Sequence, residues 1–351
     1  MKKEKSCSIK TSIGGQALME GIMMRGPKRS AMAVRNPEGE MVIEEWDTKG
    51  TKRAKIFRLP IIRGVFGFAD SMISGYKCLM RSAEISGLEA LEEEERKAKA
   101  AKKAEKAAKK AAKKGIELPA QPEEEPEIEE NGEKKKGSSA MTNIVTVVSL
   151  ILALVLVVGL FFYLPSFLYN QLGKLIPKIS GNRYLRSAFE GVVRVALLVG
   201  YMALVSLMKD IRRTFMYHGA EHKTIFCYEQ GLELTVENVR KQKRFHPRCG
   251  TSFLIIMVLV GIFIGFIIPP SLNPILRTVV KIALIPVIMG IGYELIKLAG
   301  RCDNLFVRII SAPGVWLQHI TTREPDDDMI ECAIAAMEKV IPDDGSDKIV
   351  K

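Results

Sequence analysis

Residues Ile144 to Leu164 form a long, mostly apolar stretch without a charged side chain. As a helix, such a run crosses about 30 Å of hydrocarbon. A water-soluble domain has no place to bury it on all sides, so the chain is expected to be a membrane protein. Three further apolar segments follow. Phe253 to Ile268 is uncharged, Val192 to Met208 carries Arg194, and Val279 to Leu298 carries Lys281, Glu294 and Lys297. The expected fold is mainly α, a polytopic helical membrane protein with about four transmembrane helices, a small N-terminal β element and cytosolic amphipathic helices.

Lys and Arg beside the spans set the orientation. Nine of them lie between Lys209 and Ser252, against four between Pro165 and Ala188 and one between Pro269 and Thr278. The basic segment is therefore expected in the cytoplasm, with both termini on the same side. Met1 to Lys10 is polar and basic with no apolar core behind it, unlike a cleaved signal, so the first span is expected to direct insertion.

Net charge is +12, yet Glu92 to Lys136 contributes nothing, with thirteen basic and thirteen acidic residues. The excess flanks the membrane segments, where anionic lipid headgroups account for it, and no specific nucleic-acid binding is expected. The six Cys (Cys7, Cys78, Cys227, Cys249, Cys302, Cys332) are scattered singly and read as free thiols in a reducing compartment.

Along the chain, residues 1–54 are expected to form the β element, with strands at Ala31 to Arg35 and Met41 to Trp46 around the turn Asn36-Pro-Glu-Gly39. The glycine-punctuated segment Gly14 to Gly26 lacks the Lys and Ser/Thr of a phosphate loop and reads as a tight backbone crossing. Within 55–88, Ile62, Val65, Phe66, Ala69, Ile73, Tyr76 and Met80 recur at helical spacing, giving a helix that either lies on the inner leaflet or packs on the spans. Residues 89–140 read as a charged helix and disordered linker, and 141–300 as the membrane domain. In 301–351, Ser311-Ala-Pro313-Gly314 predicts a break, and Asp326 to Val340 an amphipathic helix with Ile330, Ala333, Ile334 and Met337 on one face.

Chemistry concentrates in the basic segment. His218-Gly-Ala-Glu221-His222, if helical, sets two imidazoles one turn apart with a carboxylate beside them, the H-x-x-E-H arrangement of inverted zinc hydrolases. With four His in the chain, chance supplies such a string on the order of 0.01 times or less. Catalytic zinc takes three protein ligands and leaves one position open. His218 and His222 supply two. The third is His246, Cys249 or Glu294; the preferred set is His218, His222 and His246, with Cys249 next. Glu294 is either a ligand or an i,i+3 ion pair with Lys297. Glu221 is then the general base, and the lone His319 is expected to be structural.

The stretches GGQALMEGIMMRG (14–26), HGAEHKTIFCYEQGLELTVENV (218–239), HPRCGTSF (246–253) and APGVWLQHITTREPDDD (312–328) resemble the bacterial YqhQ-like membrane proteins. That family has no assigned activity, and its members are described as predicted metal-dependent enzymes. The resemblance holds at His218, Glu221, His222, His246 and Cys249. Around His319 the family more usually reads Gln-Arg-Leu-Thr-Thr, which argues against His319 as a ligand.

The leading expectation is a multi-pass protein of the bacterial cytoplasmic (inner) membrane with a cytosol-facing metal site, zinc by preference, hydrolysing a protein, peptide or lipid-linked substrate. The rival is a non-catalytic biogenesis or scaffold protein whose metal is structural. Closed coordination by His218, His222, His246 and Cys249 together would mark the rival.

Overall fold

A computed structural model describes residues 10–48, 59–87, 136–179, 181–301 and 305–349. The expected linker lies outside them as far as residue 135, as do Cys7 and Cys302. The chain divides into two units, Met1–Ser86 with Val158–Lys351, and Gly87–Val157. It is mainly helical, with a small N-terminal β element.

Four strands, β2 (Gly14–Leu18), β3 (Gly21–Arg25), β4 (Arg29–Arg35) and β5 (Met41–Asp47), form an antiparallel meander; β1 (Lys10–Thr11) pairs separately with β6 (Lys348–Ile349) near the other terminus. The predicted hairpin is β4 and β5, closed where Gly39 takes φ +86° and the Asn36 side chain accepts from the Glu40 amide at 2.8 Å. The glycine-punctuated segment supplies β2 and β3, which the sequence reading did not assign as strands. Period-two alternation explains the burial. Ile22, Met24, Ala31 and Ala33 pack with Tyr217, Ala220, Ile330 and Met337, whereas Leu18, Met23, Met32 and Val34 pack with Cys78 on the other face. A sheet covered on both sides reads as a continuous apolar run, which hides its period.

Helix α1 (Ile62–Ile85) crosses the sheet, where Gly75 meets the Gln16 side chain and the Met19 amide donates to Ser82 Oγ at 3.3 Å. Its buried stripe includes Gly64, Gly75, Cys78 and Ser82, while the larger Ile73, Tyr76 and Met80 stay exposed.

The first apolar run forms α2 (Lys136–Val158), a π turn at Gly159–Tyr163, and α3 (Leu164–Leu175), which give one candidate span, Val147–Leu175. A second is α4 (Arg183–Val205), which begins well before the apolar window because the Asn182 side chain caps it, accepting from the Tyr184 and Leu185 amides at 3.0 Å. The third run is α7 (Gly250–Gly265), whose 16 residues reach about 24 Å. The fourth is α8 (Pro274–Ala283) and α9 (Ile285–Arg301), bent by 49°. Pro286 explains the bend, since its ring excludes the carbonyl four residues back. Among the described residues, two helices are long and apolar enough to cross a membrane, or three if the bent pair is one span.

Between α4 and α7 run α5 (Lys209–Glu229) and α6 (Val236–Arg240). After α9 come α10 (Leu305–Thr321) and α11 (Asp327–Glu338). The predicted break at Ser311 to Gly314 does not occur: α10 runs through Pro313. Gly314 serves packing instead, because a Cβ there would strike the Cα of Ser252 on α7. The amphipathic helix is α11, burying Met329, Ile330, Cys332, Ala333, Ala336 and Met337.

Candidate metal centre

The His218-to-His222 string lies inside α5, so its two imidazoles do share a face, with ring centroids 4.4 Å apart. Gly219 and Ala220 let that face be covered. A Cβ at Gly219 would collide with the carbonyl of Arg323 in the segment after α10, and the Arg323 amide donates to the Phe215 carbonyl at 2.8 Å. The small residues of the motif thus bring α10 against the histidines.

That contact fixes one ring. Nδ1 of His218 lies 2.8 Å from the Thr321 carbonyl, and Nδ1 of His222 lies 2.5 Å from the Arg244 carbonyl. A carbonyl can only accept, so Nδ1 of each ring is the donor, and Nε2 is the atom turned to the site. Nε2 of His218 sits 3.1 Å from Cys249 Sγ. Nε2 of His222 is buried with no hydrogen-bond partner among the described residues. One ligating atom from each of His218, His222 and Cys249 falls within 4.8 Å of the others.

Cys249 is the N-cap of α7, and its sulfur accepts from the Thr251 amide at 3.4 Å. Burial raises a thiol pKa, but His218 and His222 outweigh it here and hold Cys249 well below its ordinary value. Thiolate is the ligating form. For His218 burial acts downward, yet the thiolate and Glu221 raise it to about 9.

Glu221 is buried beside the pair, and Gly15 of β2 donates its amide to the carboxylate. Gly15 is required there: a Cβ would come within 2.9 Å of Glu221 Cγ and 2.8 Å of the Met23 carbonyl. The tight backbone crossing read from the sequence is therefore part of the site's wall. Burial raises the Glu221 carboxyl, the imidazoles pull it back, and it ends above its usual range. A cleft of about 520 Å³ opens here, lined among others by Glu221, His222, Cys249, His246 and Gly15.

The preferred third ligand, His246, is not gathered into the cluster. The Arg248 amide donates to its Nδ1 at 3.3 Å, its Nε2 faces Glu229 at 3.8 Å, and Gln318 clamps its backbone with two 2.7 Å bonds. Burial lowers its pKa despite Glu229. Glu229 in turn binds Arg248 and accepts from the Thr11 amide at 2.8 Å. Glu294 is also elsewhere, ion-paired with Arg63 of α1, whose Nε lies 2.6 Å from Oε1, and the charge of Lys297 adds to the pull on the carboxylate. His319 is exposed and stacks on Phe245 at 4.3 Å.

The donor set suits a divalent ion. Two imidazole Nε2 atoms and a thiolate converge, one nitrogen an orphaned acceptor, with each ring braced by a carbonyl behind it. Sequence reasoning missed those braces, Thr321 and Arg244, because a backbone carbonyl has no residue signature. Glu229, Arg248 and Gln318 were likewise not anticipated.

The sequence model of a family described as Protein of unknown function (DUF1385) matches residues 59–343, a segment that contains every candidate ligand. The chain is 30% identical over 346 residues to the protein described as Uncharacterized protein YqhQ of Bacillus subtilis (strain 168), covering 95% of this chain and 93% of that protein. No solved structure matches. Matched nearly end to end with that protein and across the site, the chain belongs to the DUF1385, YqhQ-like family.

Proposed function

We propose that this protein is a metal-dependent hydrolase of the bacterial cytoplasmic membrane, with four membrane-embedded helical segments and its site facing the cytosol. The observation that carries the reading is the convergence of two braced imidazoles and a thiolate at the wall of a cleft that Glu221 also lines. His218, His222 and Cys249 would hold a divalent ion, zinc by its taste for nitrogen and sulfur. Such an ion, when bound, supplies Lewis-acid activation of water near neutral pH.

The remaining work falls to the chain. Glu221, kept above the usual carboxylate range by burial, is suited to take a proton from water in the cleft and return it to a leaving group. Gly15 orients that carboxylate through its amide. The engagement of His246 with Glu229 and Arg248 favours three ligands over four, and so an open position over a closed structural site. The nine basic residues of the Lys209 to Ser252 segment support a cytosolic site, and the exposed apolar side chains along α1 support contact with the inner leaflet.

The test is Glu221→Gln in a strain lacking the chromosomal copy. The amide is nearly isosteric and cannot take a proton, so the variant is expected to keep its metal while in-cell function falls about 10²- to 10⁴-fold. Full complementation by Glu221→Gln, with metal retained, would sink the hydrolase reading.

A further inference from the structure

Beyond the other end of α7 from Cys249 lies a second buried polar cluster. Glu190 of α4 is fully buried, flanked one turn away on either side by Arg186 and Arg194, and faced by Arg277 and Lys281 of α8. Arg186 Nε and Arg277 Nε reach the same carboxylate oxygen at 3.3 and 3.0 Å. Lys281 binds the other oxygen and also donates to Ser166 Oγ at 3.2 Å, while the Ser166 hydroxyl donates to Glu190 at 2.9 Å.

The charges do not balance. Among the described residues, Glu190 is the carboxylate that pairs with these cations. Guanidinium groups do not shed their protons, so three permanent positive charges face it before Lys281 is counted. An unpaired buried charge is costly. The donor count tells the same story: Nη2 of Arg186, Arg194 and Arg277 is buried with no hydrogen-bond partner among the described residues. Nearby carbonyls, such as Pro270 at 2.6 Å from Arg186 Nη1, steer the guanidinium groups without cancelling charge.

A cleft of about 410 Å³ reaches this cluster, lined by Arg186 with Lys174, Asn170 and Asn273. We propose that the cluster is a binding site for a phosphate-bearing anion that enters through this cleft. A tetrahedral oxyanion offers several acceptors to forked donors and carries the sign of charge the cluster lacks. Two of the helices that build it, α3 and α4, belong to the two candidate spans, and Leu175 and Ile176 beside Lys174 are exposed apolar residues. A phospholipid headgroup and free phosphate share the required chemistry.

Full-length protein in neutral detergent is titrated with inorganic phosphate and, separately, with dioleoylphosphatidylglycerol or dioleoylphosphatidylcholine in mixed micelles, and its unfolding midpoint is followed. A rise with phosphatidylglycerol that exceeds the rise with phosphatidylcholine supports the site with a lipid as its source. A rise with inorganic phosphate supports the site with a free anion as its source. In either case Arg186→Gln should abolish the response, and Lys174→Glu, at an exposed position on the cleft, should weaken it about tenfold. The proposal is overturned if no probe raises the midpoint, if both lipids raise it equally and phosphate does not, or if Lys174→Glu responds as wild type does. The Lys174 arm stands even if Arg186→Gln does not fold.

Discussion

The candidate metal centre and the arginine cluster lie toward opposite ends of one apolar helix, and both bury groups that ordinarily stay in water. They are incomplete in opposite senses. At the candidate metal centre each imidazole spends its Nδ1 proton on a backbone carbonyl, and His222 leaves an unpartnered acceptor facing inward beside the Cys249 thiolate. At the arginine cluster one carboxylate is shared by four cations and the leftovers are N–H donors. Which half of the hydrogen bond is missing gives the sign of the partner: lone pairs ask for a cation, donors for an anion. Perturbing each end separately should show whether the contrast is real.

The largest effect is expected from Glu190→Gln. Removing the charge that four buried cations share should destabilise the protein by about 3–5 kcal/mol, measured by chemical unfolding in detergent. A loss under about 1 kcal/mol would mean that solvent or another anion already compensates the cations, and the asymmetry would dissolve. The metal end predicts a different pattern. His222→Ala and Cys249→Ser should each weaken zinc binding more than the about 10- to 100-fold that loss of an outer hydrogen-bond partner costs. His246→Ala, whose ring is held by Arg248 and Glu229, should keep the metal. Elemental analysis of the three purified variants decides it, and zinc lost from His246→Ala but kept by Cys249→Ser would restore the all-histidine set.

How much of this was legible beforehand also differs between the two ends. The His218 and His222 pair was readable because helical spacing alone puts both on one face. Cys249 was readable only as a candidate, since its place depends on capping α7 and on Gly219 admitting the segment after α10. The arginine cluster was not legible. The apolar window opens at Val192, which left Arg186 and Glu190 outside the second span, yet the Asn182 cap starts the helix at Arg183 and brings both in. The sheet shows the same limit. The outer strand β5 alternates and the turn before it was found, whereas β3 and β4 are covered on both faces and show no period. Pro313 misled for a related reason: a proline and glycine pair reads as a break, but close packing against Ser252 uses the glycine within a continuous helix.

The smallest effect is a slope, and it separates the two ends without any mutation. His218 is raised from 6.5 to about 9, because the Cys249 thiolate overcomes the opposite pull of burial. Below about 9 the ring therefore holds a proton that an entering cation must displace, while Cys249, already lowered, has none to give up over most of that range. Apparent zinc affinity of chelator-stripped protein should rise about tenfold per unit from pH 7 toward 9 and flatten above, followed by competition with a zinc indicator. At the other end the three guanidinium groups stay charged over the same window, so their share in binding a phosphodiester lipid should not change with pH. Zinc affinity that is flat between pH 7 and 9 would show that His218 carries no displaceable proton, and the thiolate and imidazole account of the metal end would have to be abandoned.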